Sequence, residues 1–220
     1  GITVTETESG WSIPGGQKYH GPRMRYAEGD WSNAAFWLVA GAIGGSIGCQ
    51  GLDMESPQGD RAIAALLEEF GAETKVALNQ ITATHKEMKG IRIDASQIPD
   101  LVPILCVAAA AAEGKTEIYN AGRLRMKESD RLAVMAECMQ KIGVEVEERP
   151  DSIIITGGCN PPEGEIVIDS HNDHRIVMAM AIAAVSLGVE LTILGAEAVN
   201  KSYPSFFIEL AKLGGVTNVL

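Results

Sequence analysis

Nine residues from Arg123 to Arg131 hold four cations (Arg123, Arg125, Lys127 and Arg131) and two carboxylates (Glu128 and Asp130). The chain carries a formal net charge of −11, so it needs no added cations for solubility. A local knot of Arg and Lys therefore points to a bound anion, a phosphate or a carboxylate. Glu128 beside Lys127 gives that knot a proton-transfer group as well. The same stretch also suits a solvated helix start with ion pairs such as Lys127 with Asp130.

A second knot, Asn172-Asp173-His174-Arg175, stands directly before an apolar run. In the first turn of a helix the charge of Arg175 opposes the helix macrodipole, so it requires Asp173 or a bound anion as partner. His174 can titrate near neutrality, or it can be a packed, hydrogen-bonded histidine. Asp100, after Pro99, and Lys201, before Tyr203-Pro204, complete the candidate set. His20, His85 and His171 have no such company and read as surface or core. Trp31 and Trp37 read as packing residues.

Composition narrows the function classes. With 220 residues and 46% hydrophobic content, the chain can bury a substantial core. Its acidic balance argues against general nucleic-acid binding or adhesion to anionic membranes. Cys49, Cys106, Cys138 and Cys159 are far apart and lack metal-site spacing, as expected of thiols in a reducing cytoplasm. The longest apolar run, Leu101 to Ala112, is too short to span a bilayer and contains Pro103. A soluble, cytoplasmic protein is the expectation.

The elements that must position these groups form a repeat of about 72 residues. Small, apolar helical runs begin at Asp30, Asp100 and Asp173, spaced 70 and 73 residues apart, and end near Gly45, Gly114 and Gly188. Each is followed by a β-like stretch: Ser46 to Leu52, Lys115 to Asn120, and Val189 to Leu194. A second helix then starts at Asp60-Arg61, Asp130-Arg131 and Tyr203-Pro204. After the first two of these helices come strand pairs, Ala72 to Thr84 and Val144 to Thr156.

The first helix of each unit is apolar all round and is predicted to be buried. The second is amphipathic and is predicted to lie outside. Asp at each inner helix start is a natural N-cap, and Gly at each end a left-handed C-cap. Inner helices running parallel would gather their N-termini, and with them an anion site, at one end. The predicted fold is α/β and pseudo-threefold, with central buried helices, sheets around them and amphipathic helices beyond. The third unit lacks its strand pair, while residues 1–16 look like a stray one, either part of a preceding domain or folded back onto the third unit. Residues 1–27 are thus expected to be a strand pair plus linker, and 28–220 a domain of three repeats.

The ordered set Glu28-Gly29-Asp30, Ile98-Pro99-Asp100, Arg125-Met126-Lys127-Glu128-Ser129-Asp130-Arg131, Asn172-Asp173-His174-Arg175 and Lys201-Ser202-Tyr203-Pro204 resembles the enolpyruvyl transferase family. The wording is that of its shikimate 3-phosphate branch, and the likeness runs from about Gly15 to Phe207. The resemblance implies an inverse α/β-barrel-type domain, the second of two, with the active site in the cleft between them. It implies transfer of the enolpyruvyl group of phosphoenolpyruvate to the 5-hydroxyl of shikimate 3-phosphate, with release of phosphate and no metal or organic cofactor. Asp100 then matches the base for the hydroxyl and a ligand of shikimate 3-phosphate, and Glu128 the acid and base at the methylene carbon. Lys127 matches a ligand of shikimate 3-phosphate. Arg131, Arg175 and Lys201 match the grip on phosphoenolpyruvate, with Asp173 and His174 as supporting neighbours.

The partners so implied are the two small-molecule substrates and a missing N-terminal domain, without nucleic acid or membrane. The family's upstream lysine, serine, Ser-Ser-Gln segment and first-domain arginine have no match here, so the chain alone is expected to be inactive. Arg123 departs from relatives that place Asn there, and no role is carried over to it. Alternatives are the sister activity on UDP-N-acetylglucosamine and a non-catalytic binding domain on the same scaffold.

Overall fold

The computed structural model describes residues 1–21 and 26–219. It opens with an exposed hairpin of β1 (Thr5–Thr7) and β2 (Gly10–Ser12). Three copies of one unit follow. The first is α1 (Trp31–Gly44), β3 (Ser46–Gln50), α2 (Ile63–Phe70), β4 (Glu73–Ala77) and β5 (Gln80–Thr84). The second is β6 (Arg92–Asp94), α3 (Val102–Ala111), β7 (Lys115–Tyr119), α4 (Arg131–Lys141), β8 (Glu145–Arg149) and β9 (Ser152–Thr156). The third is β10 (Val167–Asp169), α5 (His174–Leu187), β11 (Thr192–Leu194) and α6 (Phe206–Lys212).

Helices α1, α3 and α5 each pack on the other two, which makes them the shared core. Nine of the ten residues of α3, Val102 to Ala110, are buried, and its many alanines permit close helix approach. Each larger side chain there, such as Ile104 or Leu105, contributes about 1.5–3 kcal/mol through burial. Helix α4 has the opposite design: Leu132, Met135 and Met139 are fully buried while Glu137 and Lys141 pair in solvent at 2.8 Å. This is the predicted central-helix, sheet and outer-helix arrangement.

Three details differ from the sequence expectations. Each of the last two units begins with a short strand, β6 or β10, that pairs in parallel with β7 or β11. Asp100 caps no helix: it lies in a 3-10 turn, Pro99–Leu101, where its backbone continues into α3. Asp30 and Asp173 do cap, accepting from Ser32 N at 2.8 Å and Arg175 N at 2.9 Å. Gly71 and Gly188 provide left-handed C-caps, but Gly45, at φ 172°, is simply extended.

The sheets are unequal. Their strand orders are β3-β5-β4, β6-β7-β9-β8 and β10-β11. The β1–β2 hairpin forms a separate two-stranded sheet and does not pair with β11, so the fold-back arrangement is not adopted. The expected linker includes residues 22–25, which lie outside the described residues, as does Leu220. Among the described residues, no helix is long and apolar enough to cross a membrane.

Candidate active site

Arg131 opens α4 with its side chain only 1% exposed. A buried guanidinium requires charge and hydrogen-bond partners, and three carboxylates from three segments supply them. Nε and Nη2 donate to Asp173 at 2.7 and 3.2 Å, Nη1 to Asp100 at 2.8 Å, and Nη2 to Glu128 at 2.6 Å. Asp173 is fully buried at the start of α5, and it also accepts from Ser129 Oγ at 3.0 Å. One side chain thus ties the start of α3, the loop before α4 and the start of α5 together.

Asp100 carries further cations. Lys127 Nζ lies 3.1 Å from its Oδ1, and Arg175 Nη2 lies 3.5 Å from its Oδ2. Arg175 Nη1 also donates to the Asp100 carbonyl at 3.2 Å. Burial alone would push the Asp100 carboxyl upward, but Arg175, Lys127 and Arg131 outweigh it and hold the group below its ordinary value. Asp173 behaves alike: burial opposes ionisation, and the Arg131, Arg175 N–H and Ser129 contacts overcome it. Neither carboxyl is available as a neutral acid near pH 7. Because Asp100 does not cap its own helix, its oxygens are free for this cluster.

The sequence-predicted groups converge. Asp100, Lys127, Glu128, Arg131, Asp173 and Arg175 form one connected network. Lys201 joins through the backbone, its Nζ donating to the Asn172 carbonyl at 2.5 Å. His174 Nδ1 stands 4.0 Å from Asp173 and has no hydrogen-bond partner. Burial first, then the Arg175 charge, lowers its pKa below the ordinary histidine value. The imidazole is therefore neutral at pH 7.

Three carboxylates face three cations here, with Lys201 as a fourth. The rim is open: the side chains of Asp100 and Glu128 keep 31% and 44% exposure. Two clefts of about 460 and 530 Å³ lie elsewhere, one beside Trp37 and Tyr203, the other under α2 and β4. The chemistry-bearing groups line neither, apart from the capping Asp30 at the edge of the first.

Three participants escape a reading by residue type. Ser129 supplies a hydroxyl to Asp173. Asn172 holds Lys201 through a backbone carbonyl and has a left-handed conformation, φ 57°. Asp60, buried near the start of α1, takes the Ser32 hydroxyl. Burial pushes its pKa up, while the Ser32 bond and the Arg175 charge pull it down. Ser129 and Asn172 carry a sequence signal, by standing inside the Lys127–Arg131 and Asn172–Arg175 motifs.

Residues 1–210 match the family model described as EPSP synthase (3-phosphoshikimate 1-carboxyvinyltransferase). The 3-phosphoshikimate 1-carboxyvinyltransferase of Clostridium acetobutylicum is 48% identical over 205 residues, 92% of this chain and 46% of the relative. That of Pyrococcus abyssi is 43% identical over 198 residues, covering 90% and 46%. The solved EPSP synthase of Acinetobacter baumannii superposes with a TM-score of 0.76 at 32% identity, covering 99% of this chain and 52% of that one. The enolpyruvyl transferase NikO of Streptomyces tendae shares the fold, with a TM-score of 0.73 at 19% identity and coverage of 98% and 51%. The chain spans about half the length of the curated relatives it matches. The family-model match over nearly the whole chain and the identity to these relatives place it, with its Arg131-centred charge network, in the EPSP synthase family.

Proposed function

We propose that this chain forms the C-terminal half of an enzyme that moves the enolpyruvyl group of phosphoenolpyruvate onto the 5-hydroxyl of shikimate 3-phosphate, releasing phosphate. Residues 28–220 are the second of two domains, residues 1–27 the last strand pair and linker of the first, and the place of action the cytoplasm. The observation that carries this reading is the single guanidinium of Arg131 joining Asp100, Glu128 and Asp173 at 2.8, 2.6 and 2.7 Å.

The chemistry follows from that network. Asp100, held ionised by three cations, takes the proton of the attacking hydroxyl as its oxygen bonds to C2 of phosphoenolpyruvate. Glu128, the most exposed of the three carboxylates, protonates the methylene carbon C3 and yields a tetrahedral ketal phosphate. Phosphate then leaves with the C2–O electrons and the proton held by Asp100, and Glu128 recovers a proton from C3 to restore the double bond. Lys127 holds shikimate 3-phosphate while Arg131, Arg175 and Lys201 offset the charges of phosphoenolpyruvate. With Lys201 the cations outnumber the three carboxylates by four to three, which favours two anionic substrates. Asp173 fixes Arg131 by two bonds and accepts from the Arg175 N–H, with His174 beside it.

The test pairs this chain with the preceding half of the Clostridium acetobutylicum relative and measures phosphate release. The expected result is release that needs both substrates, vanishes for either half alone, and falls by orders of magnitude in Asp100→Ala while shikimate 3-phosphate still binds. Turnover by the chain alone, or an Asp100→Ala pair as fast as the parent, would overturn the reading.

A further inference from the structure

Arg125 lies outside the charge network, yet every nitrogen of its guanidinium is engaged. Nε donates to the Pro150 carbonyl at 2.9 Å, and Nη1 reaches Asp130 Oδ1 and Oδ2 at 3.3 and 3.0 Å. Nη2 meets Glu148 Oε1 at 2.7 Å and the Arg149 carbonyl at 2.8 Å. Saturating a guanidinium this way demands its planar fork; an ammonium cannot match it. Asp130 in turn caps α4 through Ala133 N at 3.1 Å and immediately precedes Arg131. Lys127 and Glu128 lie between the two ends of this clamp, in a loop whose neighbour Met126 is fully open to solvent on one side, at 82% exposure.

We infer that Arg125 is a positioning residue for Lys127 and Glu128: its guanidinium rivets their loop to the β8–β9 turn, so that both side chains already face Asp100 and Arg131 before an anion arrives. A loop otherwise exposed would sample many conformations, and each would have to be frozen out on binding. Fixing the loop from outside leaves its inner face free for substrate. The inference rests on the proposed role of Lys127 and Glu128 as substrate-facing groups.

The test uses this chain with Arg125→Lys and with Glu148→Gln, read by amide hydrogen exchange and by calorimetric titration with inorganic phosphate. Arg125→Lys is expected to speed exchange at the Lys127 and Ser129 amides at least roughly tenfold and to weaken phosphate binding about tenfold, with exchange in α3 and α5 unchanged. Glu148→Gln, which removes the charge of one acceptor and keeps the guanidinium, should give about a two- to threefold effect on both and decides the matter if the lysine variant does not fold. Unchanged exchange in the loop, or faster exchange with unaltered phosphate affinity, overturns the positioning role. Failure of the parent chain to bind phosphate would instead sink the substrate reading, and the exchange measurement would still decide what Arg125 does to the loop.

Discussion

Arg131 and Asp173 form a two-pronged ion pair inside the protein, Nε to Oδ2 at 2.7 Å and Nη2 to Oδ1 at 3.2 Å, with side chains 1% and 0% exposed. Removing one partner leaves the other charged, buried and unsatisfied. Arg131→Met should therefore destabilise the chain by about 3–5 kcal/mol, more than the pair itself contributes. Urea unfolding followed by tryptophan fluorescence checks this; an unchanged midpoint and slope would contradict the burial argument.

His174 should titrate below 6.5 in the folded protein, because burial and the Arg175 charge both disfavour imidazolium. The unfolded state then binds the proton more readily. The histidine's contribution is complete above pH 6.5 and is lost as pH falls toward its folded pKa. His174→Gln should flatten that part of the stability profile. Proton NMR titration of the imidazole gives a direct reading, and a folded pKa above 6.5 would reverse the sign.

A lower window belongs to Asp100 and Asp173, whose folded pKa values lie under the ordinary 3.8. Their stabilisation is present above pH 3.8 and disappears as acid drives pH down through the folded values. Asp173→Asn should shrink the acid-side slope of unfolding free energy while lowering stability at pH 7. A wild-type slope in the variant would show that Asp173 is not linked to acid unfolding.

Glu128 offers a separation of roles. At 44% exposure its bond to Arg131 should contribute no more than about 1 kcal/mol to folding. In its proposed role as the acid at C3, however, it would be worth roughly 10²–10⁴ in rate. Glu128→Gln in the two-part enzyme is expected to keep the thermal midpoint and lose turnover. Equal losses in both measurements would assign it to the scaffold.

Phe206 anchors the third outer helix to the centre. Its ring is fully buried, stacks on Trp37 with centroids 5.0 Å apart, and meets Phe36 edge-on at 6.5 Å. Phe206→Ala should cost about 3–5 kcal/mol by leaving a void. The loss should appear as a lower urea midpoint with red-shifted Trp37 emission. Retained emission would mean that α6 docks by other contacts.

The repeat could be read from the sequence because its inner helices must be apolar on every side and its outer ones on one side only. The convergence of Asp100, Glu128, Arg131 and Arg175 then follows from where those helices begin. The short strands β6 and β10 escape because three residues carry too little periodicity, although Ile91-Arg92-Ile93-Asp94 and Ile166-Val167-Ile168-Asp169 share a pattern that marks both. Asp100 looks like a cap because Asp at a helix start ordinarily is one; Pro99 and the pull of three cations divert it. Asn172 contributes a main-chain oxygen, and no side-chain identity encodes that. Arg125 is visible as a charge, but its neighbours Glu148, Arg149 and Pro150 come from a turn 23–25 residues away.

The unequal sheets set an order of failure. Four strands brace the middle module, three the first, and two short ones the last. On warming, β10 and β11 should fray before β7 and β9. The start of α5 is fastened to Arg131 as well as to its own module, where Asp173 N donates to the Ser170 carbonyl at 3.0 Å. That second fastening lets the charged rim outlast the fraying of β10 and β11.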